Sequence, residues 1–237
     1  MALPKVNETP KYELIIPSTK QKVKFRPFLM KEEKVMLMAM ESENQTDILN
    51  TIMDTISVCI IDDIDISNLS TFDIEYCFLK IRGKSAGETS KISLSCKECD
   101  AENEISINLD DIKVDVPELN NKIQINDEII VELSWPSFTI ITQNETIIKS
   151  DSTVDQIFSL IRSCIVSINT EEERFSAKDH TQEELDSFIE SLSAEQFGKI
   201  REYVEAMPRL THEVKFSCAN CSTDNSLTLE GMQSFFS

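Results

Sequence analysis

Two Cys-x-x-Cys pairs stand in matching frames. Cys218 and Cys221 follow Cys96 and Cys99 at an offset of 122 residues, and the flanks repeat at the same offset. Ile92 and Leu94 align with Val214 and Phe216, Ser95 with Ser217, Asn103 with Asn225, and Ile105 and Ile107 with Leu227 and Leu229. Apolar alternation on both sides of each pair predicts a strand before it and a strand after it, with the cysteines in the turn of a small hairpin. That is the geometry of a zinc knuckle. The two-residue gap turns both sulfurs of a pair towards one point, and tetrahedral Zn²⁺ takes four ligands at about 2.3 Å. Two knuckles supply all four, so Cys96, Cys99, Cys218 and Cys221 are expected to hold one Zn²⁺ per chain. Four thiolates leave no position for water or substrate, which makes the ion structural rather than catalytic. The same residues also admit free thiols in metal-free knuckles, or a pair of disulfides. His212 lies a strand's length before Cys218 and reads as a surface residue, and His180 is given no role.

The chain has 237 residues with 41 % apolar content, enough for a buried core in one domain or two. No apolar run approaches the roughly 20 residues that span a bilayer, and Met1 to Thr9 lacks the apolar core of a signal peptide. In the reducing cytoplasm that this implies, the seven cysteines read as metal ligands and core residues. Cys59 and Cys164 each lie late in an apolar stretch and read as small buried side chains; Cys77 is the third spare thiol. A formal charge of −19 repels polyphosphate, and the Lys and Arg residues are scattered rather than gathered into a stripe, so nucleic acid is not an expected partner. The acidic runs Asp62-Asp63-Ile64-Asp65 and Glu171-Glu172-Glu173 lack the glycine of a calcium loop and read as solvated turns. No nucleophile motif, phosphate-cradling glycine loop or His-Glu-x-x-His helix is present, and no catalytic residue or enzymatic role is expected.

The repeat extends beyond the cysteines. Tyr12 to Ile16 and Val23 to Pro27 flank a polar turn and predict a hairpin ended by proline; Lys122 to Ile125 and Ile129 to Pro136 predict the same. Helical spacing follows each hairpin, first in Ile48, Leu49, Ile52, Met53, Ile56, Cys59 and Ile60, then in Val154, Ile157, Phe158, Ile161, Cys164, Ile165 and Ile168. A second helix begins near Leu69-Ser70 and near Leu192-Ser193, where serine suits the N-cap. The predicted class is α+β: a duplicated unit of hairpin, helix, helix and zinc knuckle, its halves (1–115 and 116–237) joined at the four-cysteine site. An acidic helical insertion, about Glu171 to Glu190, enlarges the second copy. Residues Met30 to Glu43 add a methionine-rich helix to the first, with more apolar residues than one buried face needs.

Two stretches carry a resemblance. Ile16-Pro17-Ser18-Thr19, Phe25-Arg26-Pro27-Phe28-Leu29 and Lys31-Glu32-Glu33-Lys34, running on to Ala39-Met40-Glu41-Ser42, resemble the N-terminal signature of baseplate hub subunits of T-even-type tailed bacteriophages. Phe72-Asp73-Ile74-Glu75-Tyr76, with Phe78-Leu79, Arg82 and Lys84-Ser85, is similar to a second signature of that family. The resemblance covers most of residues 3 to 140. It implies a virion protein of the contractile-tail baseplate, made in the host cytoplasm, whose partners are other baseplate hub and tail proteins and whose assembly admits further copies of itself. It implies no activity on cell wall. The zinc site rests on this chain's own cysteines.

The expected function is therefore structural, in the central hub of the baseplate, with Arg26, Pro27, Phe28 and Met38 as candidate partner-binding residues, beside the alternative that they form a hairpin end packed on its own following helix, and with no nucleic acid or membrane insertion. Two rivals stand beside it. One is a chaperone that helps to build the hub and departs; the other is a zinc-ribbon adaptor contacting nucleic acid or polymerase, which the four cysteines favour and the charge opposes.

Overall fold

The computed structural model describes residues 9–42, 44–144, 146–147 and 152–235. The chain divides into two compact units. The first takes the described residues up to Ile66, then Phe72–Asp115, then the chain from Arg209 onwards; the second takes Ser67–Thr71 and Val116–Pro208. This spatial division differs from the sequence division at residues 115 and 116, because the hairpin bearing Cys218 and Cys221 folds with the first unit.

In the first unit, β1 (Tyr12–Ile15) and β2 (Lys22–Phe25) pair antiparallel, with Leu14 opposite Val23. Alternation sends Leu14, Val23 and Phe25 inward. Lys20 takes a left-handed conformation (φ 58°) to close the turn. Pro27 stops the strand, since it has no N–H for a ladder bond, and α1 (Met30–Glu41) follows. Glu32 in its first turn accepts from the Leu29 N–H at 2.8 Å, satisfying a donor that the helix start leaves unpaired. In α2 (Gln45–Cys59) the expected 3–4 spacing buries Ile52, Ile56 and Cys59. The helix ends there because Ile60 makes a β-bridge to Phe25. α3 (Thr71–Ala86) starts where Leu69-Ser70 predicts, and Phe72, Ile74, Phe78, Leu79 and Ile81 bury several sides of it.

Two long hairpins complete this unit: β3 (Thr89–Ser95) with β4 (Glu102–Asn108), and β9 (Thr211–Ser217) with β10 (Asp224–Glu230). Each has a cysteine pair in its turn, as the alternation predicts. Their inward faces share one core, in which Leu79, Ile92, Ile107 and Leu109 pack with Leu210, Val214, Leu229 and Phe235. Full burial of such a side chain contributes about 1.5–3 kcal/mol.

The second unit is built on a four-stranded antiparallel sheet, β5 (Lys122–Gln124), β6 (Ile130–Leu133), β7 (Ile165–Asn169) and β8 (Arg174–Ser176), in that order. Helices α4 (Phe138–Gln143), α5 (Thr153–Cys164), α6 (Gln182–Glu190) and α7 (Ala194–Glu205) belong to it. Val131, Leu133, Ile161, Cys164, Ile189 and Ile200 form its core. Ser193 caps α7 as expected: its Oγ accepts from the Gln196 N–H, and Gln196 returns a bond to the Ser193 N–H.

Two expectations need correction here. The helical spacing running to Ile168 is broken after Cys164, where Ile165 to Asn169 become β7 and pair on both sides. β-Branched side chains at 165, 166 and 168 suit a pleated sheet better than a fourth helical turn. The acidic insertion is likewise only partly helical. Glu171 to Glu173 lie in the tight turn between β7 and β8, with the Thr170 N–H bonded to the Glu173 carbonyl at 2.8 Å, and only α6 in this stretch is α-helix.

Candidate metal centre

The knuckles are built by short-range backbone bonds that recur, position by position, at the offset of 122. The Cys96 N–H bonds to the Ala101 carbonyl and the Asp100 N–H to the Cys96 carbonyl, at 2.9 and 3.0 Å; Cys218 to Thr223 and Ser222 to Cys218 repeat this at 2.9 Å each. Asp100 (φ 54°) and Ser222 (φ 59°) are both left-handed, which lets each chain reverse directly after its second cysteine. At the far end of the hairpins, the Leu109 N–H bonds to the Glu88 carbonyl and the Gly231 N–H to the Leu210 carbonyl.

The two turns bring all four sulfurs together, every pair within 4.8 Å. Cys96 Sγ lies 3.6 Å from Cys221 Sγ, and Cys99 Sγ 3.7 Å from Cys218 Sγ. A disulfide needs about 2.0 Å, and all four are free thiols. A tetrahedron with metal–sulfur bonds of about 2.3 Å has edges of about 3.8 Å, so the spacing suits four ligands around one ion. The cluster could hold a metal ion. His212 is placed on β9 opposite Leu229, outside the cluster.

Polar hydrogens surround the sulfurs. Backbone N–H groups of Cys221 and Asn220 draw the Cys218 thiol down to about 6, against opposing desolvation. The Glu98 N–H, 3.5 Å from Cys96 Sγ, acts the same way on Cys96. At Cys99 the Ala101 N–H and the Asn220 side chain pull downward, but the nearby Cys221 and Cys218 thiols and desolvation outweigh them and push Cys99 up to about 11. The first cysteine of each pair is thus shifted downward by N–H groups of its own turn. The spare thiols differ: burial alone pushes Cys164 up to about 12, and Cys59, pushed up to about 11, is also dominated by burial. Both are buried in the core, as their apolar stretches suggested.

The residues expected at a partner surface separate into two groups. Arg26 donates to the Pro27 carbonyl at 2.9 Å and pairs with the largely buried Glu32 at 2.8 Å. Pro27 is buried and Phe28 is only 7 % exposed. The Phe28 N–H donates to Ser85 Oγ at 2.9 Å, and the Ser18 N–H donates to the fully buried Asp73 at 2.9 Å. The two signature stretches therefore fasten to each other inside the first unit, where Pro27 and Phe28 are buried and Arg26 is partly buried. Met38 is different, 58 % exposed on α1 together with Met30, Val35, Leu37 and Met40.

A depression of about 960 Å³ opens in the second unit beside Trp135, Arg162, Arg174 and His180. Its arginines are already committed, Arg162 to Asp186 and Arg174 to Glu132. Among the described residues no helix is long and apolar enough to cross a membrane.

Fold and site together define an α+β protein whose four clustered thiols can join two distant stretches of chain through one ion. A family model described as T4 bacteriophage base plate protein matches residues 9–237, nearly the whole chain. The chain belongs to that family and is a phage baseplate protein. Neither a curated protein nor a solved structure matches it.

Proposed function

We propose that this protein is a non-enzymatic structural part of the central hub of a contractile-tail baseplate, held rigid by a structural Zn²⁺ on Cys96, Cys99, Cys218 and Cys221. The observation that carries the hub reading is the family match over residues 9–237, to which the two signature stretches add the hub subunits in particular. Zinc is favoured over other ions by the four-sulfur donor set and by sulfur spacings close to a tetrahedral edge. Internal duplication belongs to the same proposal. Its support is the order of hairpin, helices and knuckle hairpin in both halves, and the backbone bonds that repeat at the 122-residue offset.

Neighbouring baseplate proteins would dock on α1. Its exposed Met30, Val35, Leu37, Met38 and Met40 leave apolar area in water that an isolated monomer has no reason to display. Arg26, Pro27 and Phe28 would serve beneath that surface by holding the base of α1. The net charge of −19 opposes nucleic acid as a partner.

Mass spectrometry of purified virions tests the hub assignment. The protein should be present in mature tails in a fixed ratio to other baseplate proteins. Its presence in hub precursors and absence from finished virions would replace the structural role with that of an assembly chaperone.

A further inference from the structure

Asn103 and Asn225 occupy equivalent places in the two knuckle hairpins, and each works on the other's hairpin. The Ala219 N–H donates to Asn103 Oδ1 at 2.9 Å, and Asn103 Nδ2 lies 3.8 Å from Cys218 Sγ. In return, the Lys97 N–H donates to Asn225 Oδ1 at 3.0 Å, and Asn225 Nδ2 lies 3.5 Å from Cys96 Sγ. Each amide is also anchored at home, Asn103 Nδ2 to the Ala101 carbonyl at 2.8 Å and Asn225 Nδ2 to the Thr223 carbonyl at 2.9 Å. Both side chains are nearly buried, 6 % and 5 % exposed.

We propose that Asn103 and Asn225 form a reciprocal clasp that docks the two knuckles on each other and orients the first cysteine of each pair for metal. The inference rests on the proposed metal site for its second half only. Asparagine is suited to both tasks because its carbonyl accepts while its NH₂ donates twice. Leucine at either place would leave a backbone N–H of the opposite hairpin buried without an acceptor, and aspartate would keep that acceptor but bring an anion against thiolate. Four thiolates around a divalent ion carry net negative charge, so N–H groups aimed at the sulfurs favour the loaded site. Such outer partners typically govern affinity by 10–100-fold. The docked hairpins bring Cys96 Sγ beside Cys221 Sγ and Cys99 Sγ beside Cys218 Sγ.

The test compares the full-length chain with N103A, N225A and N103D, by residue-resolved amide exchange on metal-free protein and by Co²⁺ titration followed through the thiolate-to-metal absorption. N103A should speed exchange at Ala219 and N225A at Lys97, the effect appearing in the hairpin that was not altered. Each should weaken Co²⁺ binding by about 10–100-fold. N103D keeps the acceptor, so it should restore protection at Ala219 while leaving Co²⁺ binding weak and the absorption band shifted. Loosening confined to the altered hairpin, or Co²⁺ affinity within about twofold of the parent, would overturn the clasp. A parent chain that binds no Co²⁺ but shows the crossed exchange pattern would retain the dock and remove the metal centre.

Discussion

Stripping the proposed zinc from this protein should loosen two stretches of chain that are far apart in sequence. Cys99 and Cys218 are separated by 119 residues. Closing a loop of that length lowers the entropy of the unfolded chain by about 5 kcal/mol at 25 °C in the chain-entropy account of cross-links. If the second unit stays folded while the first opens, the free chain shrinks to the stretches between Cys99 and Asp115 and between Arg209 and Cys218. The effective loop is then about 25 residues, and the same relation gives about 3.5 kcal/mol. At about 2–4 °C per kcal/mol for chains of this size, exhaustive chelation should lower the first unit's melting temperature by about 7–20 °C. Elemental analysis must first show about one zinc per chain before treatment and none after it. Amide exchange should then rise in β3, β4, β9 and β10 together, while β6, α5 and α7 keep their protection. Cys218→Ser should reproduce the pattern, including the loss around Cys96. A shift below about 2 °C in protein shown to be metal-free, or loosening confined to the turn around Cys221, would refute a shared site.

Met38→Asp should leave stability within about 0.5 kcal/mol of the parent, as exposed substitutions do, yet block incorporation into baseplates, whereas Phe28→Ala should cost about 3–5 kcal/mol by denaturant unfolding because it empties a buried site. A folded Met38→Asp protein that assembles normally would move the partner surface off α1. At Glu32, burial pushes the carboxyl up, but the bonds from Arg26, Leu29 and Lys31 outweigh it and hold the group below the ordinary carboxylate range. Its stabilisation is therefore present above that range and disappears as pH falls through the folded value, so Glu32→Gln should cost about 1–3 kcal/mol at neutral pH and progressively less as the pH is lowered through that value. The chain should show no salt-dependent binding to single-stranded or duplex DNA at physiological ionic strength; sub-micromolar binding that weakens with salt would revive a nucleic-acid adaptor.

The four-cysteine cluster was legible because its information is local twice over: a two-residue gap sets each pair, and a matching frame 122 residues on supplies the other half. Asn103 and Asn225 were visible in that alignment too, but their task was not. A polar side chain inside an alternating strand reads as solvent-facing until the opposite hairpin is known to lie against it. Periodicity failed at Ile165, where Ile161, Cys164, Ile165 and Ile168 fit one helical stripe as well as a helix end followed by a strand. The deciding fact is pairing with β6 and β8, which no local spacing records. The partner that buries Phe28 was hidden for a related reason. An apolar residue after an Arg-Pro turn looks available, whereas Ser85 on α3, 57 positions away, accepts its N–H and draws it inward.

The first unit is discontinuous in sequence, and this bears on the order in which a nascent chain can finish itself. Chains emerge and begin to fold from the N-terminal end. Ile92, Ile107 and Leu109 are made well before Leu210, Val214, Leu229 and Phe235, the side chains that share their core. For most of synthesis the growing polypeptide therefore displays an uncovered greasy hairpin face and only two of the four thiols, while the intervening second unit can mature on its own. Completion arrives with the last strands. A chain broken off before β9 would keep a folded second unit yet retain an adhesive, metal-incompetent remnant of the first, which marks it for aggregation or proteolysis instead of assembly.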